Sequence, residues 1–220
     1  MSDDLDDLIR RVDPDRWLSS RFVGDAGLRA DVIAIYAYDH ELARAPKVAS
    51  NALLGEIRLT WWREMLDEAY EGRHVRHHPT AQALAEAIQR HRLPRELLEA
   101  MIDARYRELD ATPLKPKEAL EWARDTGGRS AELAAMILEP GADAGPARAA
   151  GTAWALARRA AETPGLAKVS AEALTAARRA VRGLGAAAFP AAAHAVLADK
   201  RRSPLIDRLR VIVAVARGRI

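Results

Sequence analysis

The sequence predicts an all-α fold, a single helical bundle, and three observations carry that prediction. No stretch shows the period-two alternation rich in Val, Ile, Thr and aromatics that marks a strand. Apolar residues recur instead at spacings of three and four along almost the whole chain. Alanine, the strongest helix former, is abundant.

The periodicity places helices at 3–11, 14–22, 26–45, 49–71, 79–91, 94–109, 116–138, 144–162 and 170–183, with two further ones expected at 187–198 and 204–217. The punctuation agrees. Pro46 follows the third helix and Gly72 closes the fourth, while Pro79 and Pro94 sit where a first helical turn tolerates proline. Within the seventh, the glycines of "TGGRS" are expected to permit a kink or a close helix contact. "EPGADAGP", Glu139 to Pro146, is the clearest break and "ETPG", Glu162 to Gly165, is another. Neither is long enough for a domain linker, so residues 1–220 are expected to form one domain.

Composition narrows the function. Hydrophobic residues make up 49% and charged residues 30%, which suits a soluble globular protein. With no cysteine, disulfides, thiolate metal sites and cysteine nucleophiles are excluded. The acidic start "MSDDLDDLIR" reads as neither signal nor transit peptide, and no apolar run approaches the roughly 18 residues of a membrane span. The expected location is therefore cytoplasmic. The formal charge is only +3 but uneven: Gly145 to Ile220 carries fourteen Lys/Arg against four Asp/Glu. Such asymmetry suits an anionic partner or a solvated helical surface. A nucleic-acid partner is not expected, because the basic half has few interleaved aromatics and no known motif.

The costliest stretch is "GEIRLTWWREML", Gly55 to Leu66. On a helix, Leu54, Arg58, Trp61, Trp62 and Met65 fall on one face, widened by Leu53, Ile57, Leu66 and Ala69. Arg58 then interrupts an apolar stripe and needs a partner. The preceding helix has a stripe of Val32, Ile35, Tyr36, Asp39 and Ala43, flanked by Tyr38, Glu41 and Leu42. An antiparallel pair would bring Asp39 or Glu41 near Arg58, either as a buried ion pair that fixes register or as the polar floor of a pocket. Arg63, four residues before Asp67, reads as an ordinary surface pair.

"DRWLSSRFVGDAGLRADVIAIYAYDHELARAP…GEIRLTWWREML" resembles the N-terminal half of the squalene/phytoene synthase family. The likeness is strong from Asp15 to Gly72 and weaker through "ALEWARDTGGRSAELAAMIL". It implies an isoprenoid-synthase bundle around a central cavity, shortened at the C-terminus, with Trp122 at a cavity wall. Catalytic members hold magnesium on two Asp-rich helices so that pyrophosphate can leave. Aligned to the first motif, "YAYDHELARAPK" has Ala43, Arg44 and Lys47 at the aspartate positions and His40 in place of an arginine. Aligned to the second, "GTAWALARRAAETPG" has Ala155, Ala157 and Arg158 in place of Gln, Thr and Asn, and keeps only Glu162 near the first aspartate.

Two losses argue against metal-dependent ionisation, so no cofactor is expected, and magnesium only if the chain is catalytic. Arg44, Lys47 and Arg158 suit direct binding of a phosphate. The expected ligand-binding set is Tyr38, Asp39, Glu41, Arg44, Arg58, Trp61, Trp62, Trp122 and Arg158, in a vestigial pocket for an isoprenoid or anionic lipid. The alternative is a head-to-head prenyltransferase with an atypical diphosphate site.

The degenerate pattern also resembles a non-catalytic branch of the family, to which a mitochondrial complex I assembly factor belongs. That implies a respiratory-complex assembly partner at the inner face of a membrane. Among lesser features, "HVRHHP" reads as a solvated loop and His40 as a structural histidine, while Trp17 and Trp154 read as core. The last helix, with Leu205, Leu209, Ile212, Val213 and Val215 on one face and arginines around it, either packs on the bundle or contacts a membrane.

Overall fold

The computed structural model describes residues 2–47, 51–198 and 203–220, and no strand occurs among them. The helices are α1 (Ser2–Val12), α2 (Pro14–Ser20), α3 (Ala26–Lys47), α4 (Ala52–Tyr70), α5 (Pro79–His91), α6 (Arg95–Tyr106), α7 (Pro116–Ala123), α8 (Arg129–Leu138), α9 (Gly145–Glu162), α10 (Ala167–Ala180) and α11 (Pro204–Arg217). Caps explain several starts. Asp13 accepts the Arg16 N–H at 3.3 Å, with Pro14 at the first position of α2. Asn51 accepts the Leu54 N–H at 3.0 Å to open α4.

Helix α3 is the axis of the molecule. Every residue from Asp31 to Asp39 is buried, so this helix is enclosed on all sides rather than along one stripe. Helices α1, α4, α5, α6 and α8 pack around it. A second apolar cluster, with Ala119, Ala123, Ala150, Trp154, Leu156 and Leu166, joins α7, α9 and the segment before α10.

The 116–138 helix expected from sequence exists as one continuous path with a π-helical turn, Arg124–Gly128, between α7 and α8. Its glycines allow α9 to approach backbone to backbone. A Cβ on Gly127 would lie 2.9 Å from the Gly151 carbonyl oxygen and 2.7 Å from the Ala155 Cβ.

Three expectations shift. Helix α3 carries Pro46 inside its last turn and ends at Lys47. Residues 49 and 50, expected to open α4, lie outside the described residues. The expected helix 187–198 is two 3-10 segments, Phe189–Ala191 and Ala193–Ala198. Pro190 removes an N–H there. Ser19 of α2 takes over part of the hydrogen bonding: its hydroxyl donates to the Pro190 carbonyl at 2.6 Å and accepts the His194 N–H at 3.1 Å.

His194 is fully buried in that segment, its ring 5.1 Å from Trp154 and 6.5 Å from Tyr36. Neither ring nitrogen has a hydrogen-bond partner among the described residues. Burial, reinforced by the Arg16 charge, pushes its pKa down to about 3. The unfolded chain titrates near 6.5, so between those values it binds the proton that the folded chain refuses. Stability is therefore expected to fall as pH drops from 6.5 to 3, by up to about 1.4 kcal/mol per pH unit. Urea unfolding at pH 4.5 and 7 checks this: His194→Leu should flatten the slope across that window.

Candidate functional site

The polar centre of the bundle is a chain of alternating charges contributed by α2, α3 and α6. Arg16 reaches Asp13 at 2.5 Å and Asp39 at 2.7 Å, and its Nη1 donates to the Ser130 hydroxyl at 3.0 Å. Arg105 takes the other Asp39 oxygen at 2.7 Å and Glu108 at 2.5 Å. Trp122 Nε1 donates to the same Glu108 at 2.8 Å. Arg16 also lies over the rings of Tyr36 and Trp154, at 4.9 and 4.8 Å. All five ionic side chains are at most 8% exposed, so this is a buried network. Burial alone would raise the Asp39 carboxyl, but Arg16 and Arg105 outweigh it and hold its pKa at about 2.

This network floors a cavity of about 280 Å³. One wall is the face of α3 that carries Asp39, His40, Ala43 and Lys47, and the facing wall is Ala155, Arg158, Arg159 and Glu162 of α9. The two stretches that align with the family's Asp-rich motifs thus look at each other across one space. Trp122 and Trp154 complete it. Arg158 lies over Trp154 at 4.9 Å and within 3.7 Å of Asp15, with half of its side chain exposed. Arg159 lies over Trp122 at 5.5 Å. Neither Lys47 nor Arg159 has an ion-pair partner among the described residues. His40 is half-buried in the wall, and desolvation lowers its pKa.

The residues present do not fit a magnesium pair. Such ions need several free carboxylate oxygens. Asp13, Asp39 and Glu108 are each engaged by arginine, and Glu162 stands alone on its wall. Positions 43, 47, 155 and 158 present Ala, Lys, Ala and Arg. Among the described residues no three His, Cys, Asp or Glu side chains gather around one point. The rim is instead cationic, which suits an anionic headgroup held without metal.

The single pocket expected from sequence is divided. Asp39, Trp122 and Arg158 line the cavity, whereas Glu41, Arg44, Arg58, Trp61 and Trp62 line a separate open groove of about 360 Å³ on the other side of α3. Tyr38 lies buried in the core: its hydroxyl donates to the Leu98 carbonyl at 3.0 Å and its ring meets Trp62 at 5.3 Å. Arg58 is corrected most. It is exposed and pairs with neither Asp39, which belongs to Arg16 and Arg105, nor Glu41, which pairs with Arg44 at 2.9 Å. The reason is position along α4: its later turns bury Trp62, Met65, Leu66 and Ala69 of the expected face, whereas in its first two turns only Gly55 and Leu59 are buried, Gly55 with a Cβ position 3.7 Å from the Ala45 carbonyl, and Leu53, Leu54, Ile57 and Arg58 stay exposed. Arg63 likewise pairs with Asp103, leaving Asp67 to Arg95.

Sequence reasoning missed Asp13, Arg16, Arg105, Glu108 and the cavity role of Trp154. A faint mark existed for each pair: Asp13-Pro14 is a helix-start pattern, and Arg105 and Glu108 stand three apart. In the histidine loop, His74 and His77 are exposed, but His78 packs against Trp61 and Trp62 at 5.6 and 5.3 Å.

Comparison with known proteins bears on the fold and the family. The dehydrosqualene synthase fold, solved in complex with a ligand, superposes with a TM-score of 0.76 over 98% of this chain and 95% of that one; at 12% identity this speaks for fold alone. "NADH dehydrogenase (ubiquinone) complex I, assembly factor 6" of Bos taurus is 29% identical over 133 residues, and its Homo sapiens counterpart is 29% identical over the same length. That match covers 60% of this chain and spans only 39% of either relative. The family model described as "Squalene/phytoene synthase" matches residues 9–165, more than half of the chain and both walls of the cavity. The chain therefore belongs to the squalene/phytoene synthase family.

Proposed function

We propose that this protein is a non-catalytic member of its family, an assembly helper for a respiratory complex that holds an anionic lipid headgroup in a metal-free cavity. One observation carries the reading. Where ionising members of the family need aspartates, the α3 wall offers Ala43 and Lys47, the α9 wall keeps only Glu162 among Arg158 and Arg159, and the buried carboxylates of the cavity floor are held by Arg16 and Arg105. The 29% identity to complex I assembly factors supports the helper role. On this reading the protein works against a membrane that carries such complexes. The cavity's size supports a headgroup rather than a chain: about 280 Å³ falls at the lower bound of small-molecule sites, and its floor is ionic.

Calorimetric titration with inorganic pyrophosphate and with farnesyl diphosphate tests this. The two should bind within about fivefold of each other, in EDTA as well as in magnesium. Arg158→Ala combined with Arg159→Ala should weaken both by at least about tenfold, the scale of one charge-assisted contact. Binding that requires magnesium, or a strong preference for the prenyl chain, would contradict the reading.

A further inference from the structure

Helix α11 turns its apolar face away from the bundle. Its buried residues are Asp207, Val211 and Ala214, on the side packed against the 3-10 segment Ala193–Ala198. The opposite side carries Leu205, Ile206, Leu209, Ile212 and Val213, between 41% and 69% exposed. Their spacing makes one continuous stripe on the order of 100° wide. Arg208 and Arg217, both exposed, stand at its two edges. Asp207, the sole acid of the helix, is buried and 3.2 Å from Arg210, which also donates to the Val196 carbonyl at 2.5 Å. The outward face therefore joins aliphatic side chains to uncompensated positive charge. By sequence, Lys200, Arg201 and Arg202 stand just before it.

We propose that α11 is an interfacial helix that lies on an anionic lipid surface, its five aliphatic side chains at the acyl boundary and its arginines among the headgroups. Charge complementarity selects this occupant. A second copy of the chain would bring Arg208 and Arg217 against arginines of the same face. Five partly covered aliphatic side chains also fall short of the roughly 800 Å² per partner that a stable dimer buries. Lying flat is the available mode, because α11 has 14 residues and no described helix is long and apolar enough to cross a membrane. The inference rests on the membrane part of the proposed function and is independent of the cavity.

Sedimentation of the full chain with vesicles tests it, comparing phosphatidylcholine alone with an equal mixture of phosphatidylcholine and phosphatidylglycerol. The mixed vesicles should bind at least about tenfold more tightly, and raising salt from about 50 to 500 mM should weaken that binding. Leu209→Gln with Ile212→Gln, both at exposed positions, should weaken it at least about tenfold while the thermal melt stays unchanged. Arg208→Gln with Arg217→Gln should weaken it about thirtyfold on the mixed vesicles and leave phosphatidylcholine binding as it was. Arg158→Ala should leave vesicle binding in place. The proposal is overturned if neither vesicle binds, or if the helix variants bind as the parent does. It is equally overturned if Arg158→Ala alone abolishes binding, or if the helix variants instead dissolve a concentration-dependent dimer. Failure here leaves the cavity reading standing, since the pyrophosphate titration reads that separately.

Discussion

Replacing Asp39 by alanine is expected to cost about 3–5 kcal/mol of folding stability, because it breaks a buried ion pair on two sides at once. Asp39 is 4% exposed and holds Arg16 and Arg105 with one oxygen each, both at 2.7 Å. Without it, each guanidinium keeps a single carboxylate, Asp13 or Glu108, in a buried site. Neither arginine can discharge by losing its proton. The melting temperature should fall by on the order of 10 °C. Glu41→Ala is the contrast. Its partner Arg44 is half exposed, so that loss should stay under about 1 kcal/mol. Chemical unfolding of the two variants beside the parent checks the difference. Equal small losses would mean that the five-residue network does not order the floor of the cavity.

Gly151→Ala is the second large effect, expected to cost about 1–3 kcal/mol or more. Helix α9 crosses the π turn so closely that a Cβ on Gly151 would overlap the Gly127 carbonyl oxygen and stand 2.7 Å from the Ala131 Cβ. Those are a backbone atom and a short side chain, and neither can swing aside, so the helices must part. Parting them carries Ala155 and Arg158 off the cavity wall, so pyrophosphate affinity should fall along with stability. Gly165→Ala has nothing within 4 Å of its Cβ and should change stability by no more than about 1 kcal/mol, towards greater stability. A melt of both variants separates close packing from a generic effect of losing glycine.

The helical fold was legible because periodicity and punctuation agree along most of the chain. The start of α11 at Pro204 and the end of α9 at Glu162 follow directly from Pro and Gly positions. The 3-10 path around Pro190 was not legible, since its hydrogen bonds depend on Ser19, more than 170 residues away. The facing of Ala43 and Lys47 by Ala155 and Arg158 followed from the resemblance, which located both degenerate motifs. The identity of the charge partners did not. Periodicity placed Arg58 among Leu53, Leu54 and Ile57, and all four do share a face. The expected face does meet the core in the later turns, through Trp62, Met65, Leu66 and Ala69, but periodicity does not tell how far along α4 that cover extends, and the first two turns lie outside it. The stripe on α11 shows the same limit: a well-formed apolar face that the fold leaves outside.

The central proposal is that this chain keeps the cavity of a squalene/phytoene synthase without the means to ionise a prenyl diphosphate. Release of pyrophosphate from farnesyl or geranylgeranyl diphosphate, followed with and without magnesium, tests it most directly. The account predicts no release above the protein-free rate in either condition. Magnesium-dependent release, with a condensed C30 or C40 product, would contradict it.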